Sequence, residues 1–249
     1  MKATGFAKGK YIWFVDADDS VLTVDNTLLK YTKKNYDIIT FKYRFNNNND
    51  VYDVEEEKKR CFKLRYEICN NETFKNIGSS CWNKWFKKSL LVKVMRRIPK
   101  GTKITASEDM IIVLLALKYS HSFCHITNVL YEYNKERSLC SCDIIRSTDH
   151  FEHILFGHTD AVKIIKKNLT FKEIESLKLD SLIISDAAFF LGKILNCIPE
   201  IQIPATKILM EYFSKQEIRK AYHQRLPFFL SEQEVDEVGK VLKQEIPYL

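Results

Sequence analysis

The chain has 249 residues, 45% hydrophobic and 12% aromatic, which is ample for a packed core and excludes wholesale disorder. Its formal net charge of +7 attracts phosphates, nucleotides or an anionic membrane surface, but no Lys/Arg block interleaved with stacking aromatics marks a nucleic-acid binder. Seven cysteines without a disulfide rhythm, and no signal peptide, point to reduced thiols in a cytoplasmic protein.

Tyr-Ile-Trp-Phe-Val at 11–15 reads as a strand buried on both faces, and it runs straight into Asp16, Asp18 and Asp19. Carboxylates at the carboxyl end of such a strand sit where α/β sheets place ligands. Unneutralised they repel, so a divalent metal bridging carboxylate and phosphate oxygens is the natural compensation. Helical spacing follows over 24–34, then a strand over 37–45, a polar turn at 46–50 and an extended excursion over 51–66. A short helix at 71–77 and a tight Gly78-Ser79-Ser80 turn lead to Trp82–Phe86 and a helix over 89–95. Residues 107–119 are apolar nearly all round after Ser-Glu-Asp, which predicts a buried helix with a favourable negative start. A last strand spans 126–133.

From about Thr148 the pattern is helical only. Thr170 with Glu173 and Ser231 with Glu234 have capping-box spacing, and Pro199, Pro204 and Pro227 punctuate the segments between helices. The apolar stretch 182–198 is interrupted by Asp186 and Lys193 and is too short and polar to span a bilayer. His121, Cys124, His125, Cys140 and Cys142 match no zinc-module spacing and read as ordinary thiols and histidines.

Four elements carry chemistry, each with a plainer reading beside it. Asp16-x-Asp18-Asp19 is a metal–diphosphate site or a solvated acidic turn. Trp82-Asn83-Lys84, followed by a basic helix start, offers a stacking face and hydrogen bonds to a sugar ring, or is an amphipathic aromatic strand. Glu108-Asp109 heads the buried helix, where a carboxylate is held as rigidly as a general base must be, or is merely a helix start. Tyr131-x-Tyr133 with Arg137-Ser138 is a strand entering a surface loop, or a mobile loop whose Arg clamps a diphosphate.

In that order the four elements resemble family-2 glycosyltransferases of the GT-A fold, over roughly residues 5–140. The resemblance implies an α/β fold, a partial GT-A (Rossmann-like) mixed sheet over 1–147, followed by an all-α region over 148–249. It implies Mn²⁺ or Mg²⁺ on Asp16 and Asp18, with Asp19 beside them, and a nucleotide-sugar, a UDP-sugar above all, bound by Asp16, Asp18, Arg137 and Ser138. Asp109 is then the base, with Trp82, Asn83 and Glu108 on the acceptor side. The implied reaction is inverting sugar transfer to a saccharide or lipid-linked acceptor in surface polysaccharide synthesis. Lys163, Lys166 and Lys167 offer peripheral attachment to the inner membrane face or form a solvated helix face.

The chain departs from that family before the acidic cluster. Only Gly5 and Ala7–Tyr11 precede it, so the expectation is a chain lacking the nucleotide-binding half, or one whose missing half another polypeptide supplies. On either account this chain alone binds nucleotide-sugar poorly. Two rivals stand: a haloacid-dehalogenase-type phosphatase, disfavoured by Asp19-Ser20 after the D-x-D, and an inactive glycosyltransferase remnant acting as an interaction subunit.

Overall fold

The computed structural model describes residues 3–22, 29–45, 51–52, 77–99, 101, 107–134, 144–228 and 230–246. The chain divides into two compact units, one of residues 1–102, 107–142 and 162–177, the other of residues 103–106, 143–161 and 178–249.

The first unit is built on a six-stranded mixed sheet of α/β class. Its strands are β1 (Tyr11–Trp13), β2 (Ser20–Val21), β3 (Ile38–Phe45), β4 (Val51–Tyr52), β5 (Lys84–Lys87) and β6 (Phe123–Tyr133). The order is β1-β5-β3-β6-β2, with β4 also on β3. The β3–β6 pair is parallel and the other pairs are antiparallel. Ile38, Ile39 and Phe41 are fully buried at the centre of this sheet. β6 begins earlier than its alternation predicts, because Phe123 and Cys124 continue the parallel pairing with Ile38 and Ile39.

The expectation of a strand buried on both faces over 11–15 is corrected. β1 stops at Trp13, stands at the end of the strand order and pairs only with β5 among the described residues. Tyr11 and Trp13 are half-buried and Val15 is 46% exposed. The apolar run instead feeds aromatic packing. Trp13 meets Phe41 and Trp85 edge-on at 5.0 and 5.9 Å, and Phe14 meets Phe86 at 6.1 Å.

Helices α1 (Ala3–Phe6), α2 (Leu29–Lys33), α3 (Lys88–Met95) and α4 (Glu108–Tyr119) complete the order to β6. Only the end of the helix expected over 24–34 falls among the described residues. The turn at 46–50, most of the 51–66 excursion and nearly all of the 71–77 helix lie outside them. α3 packs on α4, and Met110 through Lys118 are all buried, as a helix apolar on every side requires. The one cation in that run, Lys118, places Nζ 2.7 Å from Glu173 Oε2. Burial pushes the Glu173 carboxyl up, but hydrogen bonds from Lys118 and Thr170 outweigh it and hold the group below its ordinary range.

The remaining helices are α5 (Thr148–Asn168), α6 (Phe171–Ser176), α7 (Leu179–Leu195), α8 (Pro199–Tyr212), α9 (Lys215–Gln224) and α10 (Glu232–Lys243), with a 3₁₀ turn at Leu226–Phe228. In the second unit, α7 packs against α8, α9 and α10. Ala187, Leu191, Leu209, Ile218 and Leu242 are fully buried there. Both expected capping boxes form, and a third, Ser214 with Glu217, starts α9. Pro204 is a correction: it lies inside α8 and does not punctuate a segment between helices. Pro199 at the first turn suits its fixed φ, whereas Pro204 withholds an amide proton from the helix ladder. Among the described residues, no helix is long and apolar enough to cross a membrane.

Candidate active site

The acidic cluster is a turn clamped by β6. Asp19 N–H donates to the Asp16 carbonyl at 3.2 Å, and β2 then pairs with Tyr131 and Glu132. Tyr131 Oη accepts from Asp16 N–H at 3.2 Å and donates to Asp19 Oδ2 at 2.5 Å. Asn134 N–H donates to Asp19 Oδ1 at 2.7 Å. Both Asp19 oxygens are thereby committed to the turn, while Asp16 and Asp18 are exposed. Burial and the bond to Asp19 push the Tyr131 phenol well above its ordinary range, so it remains a donor.

Asp109, on the first turn of α4, reaches the turn before β5: its Oδ2 accepts from Cys81 N–H at 2.9 Å. Glu108 beside it is exposed. The two acidic groups lie within each other's field. Although Asp16 is exposed as a residue, its carboxyl is partly desolvated by the groups around it; that, and then the negative charges of Asp109, Asp19, Asp18 and Glu108, push it up to about 6. The sheet order explains the meeting, because β1 adjoins β5 and so brings the end of β1 beside the turn that holds Asp109.

Trp82 sits in the wall joining these parts. Its ring stacks on Tyr131 and Tyr133 at 4.9 and 5.1 Å and meets Tyr43 edge-on at 4.5 Å. Its carbonyl accepts from Trp13 Nε1 at 2.5 Å. Asn83 is 3% exposed, and its Oδ1 accepts from Lys84 Nζ at 2.6 Å. Arg137 and Ser138 lie outside the described residues.

Two residues inside the sequence motifs take roles the motifs did not assign them. Tyr131, read there with Tyr133 as leading into the Arg137 loop, organises the acidic turn through its hydroxyl. Lys84 is 0% exposed, and burial pushes its amine down to about 7 against the opposing pull of Cys81 and Asp109. A lysine directly before the apolar Trp85-Phe86 pair was the available signal. At the other end of β1, a concavity of about 410 Å³ is lined by Gly9, Lys10, Lys87, Lys88, Ser89 and Val92. Its lysines already bond to Thr32, Asp37 and Ala7.

No family model matches the chain, and no curated protein does. Solved structures do. S. aureus TarS 1–349 superposes with a TM-score of 0.52 at 14% identity, covering 98% of this chain and 69% of that one. The same protein's fragment in complex with UDP-GlcNAc gives 0.57 at 15%, covering 98% and 70%. The chain shares its fold with TarS. A longer S. aureus TarS structure gives 0.53 at 14% identity, and there the chain spans 99% of itself but 40% of its counterpart. At these identities the likeness speaks for fold alone.

Proposed function

We propose that this chain is a family-2-type glycosyltransferase. It moves a sugar from a nucleotide-sugar, a UDP-sugar in particular, to a saccharide or lipid-linked acceptor in surface polysaccharide synthesis, with inversion at the anomeric carbon. The observation that carries the reading is that the end of β1, leading into the Asp16 turn, bonds to the Cys81–Trp82 turn that holds Asp109, in a fold shared with TarS. The TarS complex with UDP-GlcNAc supports the donor class.

A divalent ion fits the donor set. Hard carboxylate oxygens suit Mg²⁺ or Mn²⁺, and the negative charges that add to desolvation in raising Asp16 are what a cation relieves. Among the described residues no three His, Cys, Asp or Glu side chains form a metal cage. Asp16 and Asp18 would therefore hold the ion in company with the donor's diphosphate, as Mg²⁺ sites with one or two carboxylates do. When bound, such an ion supplies charge neutralisation for the leaving diphosphate.

Asp109 takes the proton of the acceptor hydroxyl while that oxygen bonds to the anomeric carbon and the bond to the diphosphate breaks. Its position on the first turn of a fully packed helix, with Oδ2 tied to Cys81 N–H, fixes the carboxylate for this task. Exposed Glu108 and half-buried Trp82 face the acceptor side, with Asn83 supporting that wall from beneath. Arg137 and Ser138 are assigned to binding the diphosphate, and exposed Lys163, Lys166 and Lys167 form a solvated helix face that also offers peripheral attachment to an anionic membrane face. The domain boundary near residue 147 belongs to the same proposal.

The test is Asp109→Asn. Sugar transfer from UDP-GlcNAc, followed with Mn²⁺ present, falls about 10²- to 10⁴-fold while donor binding is unchanged. Unchanged turnover removes Asp109 from the base role.

A further inference from the structure

A lysine side chain taken wholly out of water costs several kcal/mol unless the structure employs its donors. Lys84 is 0% exposed at the start of β5. Its Nζ donates backwards to the Ser80 carbonyl at 2.5 Å and to Asn83 Oδ1 at 2.6 Å. The side chain thus fills the turn Ser80–Asn83 from inside and fixes both ends of it. Between those ends, Cys81 donates its N–H to Asp109 Oδ2 at 2.9 Å, and Cys81 Sγ lies 3.8 Å from the Asp109 carbonyl.

The Asp109 carboxylate is held across the chain by this turn, and the turn is held by Lys84.

We propose that Lys84 is a positioning residue for Asp109: its amine locks the Ser80–Asn83 turn so that Cys81 N–H grips one oxygen of the Asp109 carboxylate. The inference rests on the reading of Asp109 as the base for its functional meaning, but its geometry is testable without turnover. A methionine at position 84 keeps most of the volume and removes both hydrogen bonds.

The experiment is residue-resolved amide exchange on the full chain and on Lys84→Met, Asp109→Ala and the double variant. Each single change speeds exchange of the Cys81 amide at least tenfold, and the double variant is no faster than either, because both break one connected unit. Amides of Ile38 and Ile39 in β3 keep their protection. A merely structural role for Lys84 predicts the opposite pattern, with loss spread evenly over β5 and β3 and additive effects at Cys81. Either that pattern or an undisturbed Cys81 amide in Lys84→Met overturns the proposal. Should Lys84→Met not fold, Asn83→Ala removes one acceptor and leaves the amine. Partial loss of protection at Cys81 is then expected, and full protection overturns the assignment. Failure here leaves the base reading standing. If the exchange pattern holds but Asp109→Asn leaves sugar transfer unchanged, Lys84 still positions Asp109 and only the base reading falls.

Discussion

Tyr131 and Asp19 are joined by a 2.5 Å hydrogen bond, phenol to carboxylate, across 112 residues of sequence. The same Oη accepts the Asp16 amide, so one hydroxyl ties both ends of the acidic turn to β6. Asp19 is therefore a structural member of the cluster, and Asp16 and Asp18 are its outward-facing members.

Tyr131→Phe removes that hydroxyl from a fully buried residue and leaves Asp19 Oδ2 without its donor. Stability falls by about 1–3 kcal/mol, as for other half-broken buried hydrogen bonds. Urea denaturation of the variant measures it. An unchanged midpoint would mean that the bond contributes nothing to holding the turn.

The division of labour among the three aspartates gives opposite outcomes for two conservative changes. Asp18→Asn weakens Mn²⁺ binding at least tenfold, about 1.4 kcal/mol, with little change in stability. Asp19→Asn lowers stability, because its two oxygens accept from Tyr131 and Asn134. Manganese electron paramagnetic resonance and thermal melts separate the two.

Lys84 makes stability depend on pH. Burial pushes its amine down to about 7 in the folded chain, whereas the unfolded chain keeps the ordinary value of 10.5. Between those values the unfolded state binds more protons, so stability rises with pH across that window; below about 7 both states are charged and this slope vanishes. The slope is best read between about pH 7 and 8.5, before cysteines and tyrosines ionise. Lys84→Met removes it, and equal slopes in the two proteins would contradict the burial.

Gly239 in α10 faces the ring of Tyr222, whose Oη a Cβ would strike. Tyr222 Oη itself donates to the Val235 carbonyl at 3.3 Å. Overpacking costs about 1–3 kcal/mol against a helix-propensity gain of about 1 kcal/mol, so Gly239→Ala destabilises by up to about 2 kcal/mol. Thermal denaturation should show the loss, and adding Tyr222→Phe to the Gly239→Ala variant should recover part of it.

Sequence alone determined what periodicity and spacing encode. Apolar surface on every side of 108–119 forces that helix inside, and Ser/Thr with Glu three residues on marks helix starts at Thr170 and Ser231. An apolar segment running into Asp16-x-Asp18 likewise marked the end of a strand. What local pattern does not carry is which strands become neighbours. Only the tertiary structure decided that β1 lies beside β5 at the end of the order, which leaves Val15 exposed where an apolar run alone implies burial on both faces. Pairing across the chain likewise set Tyr131 against Asp19 and Cys81 against Asp109, and folded Lys84 inward, since burial of a cation follows from the partners that surround it and not from its neighbours in sequence.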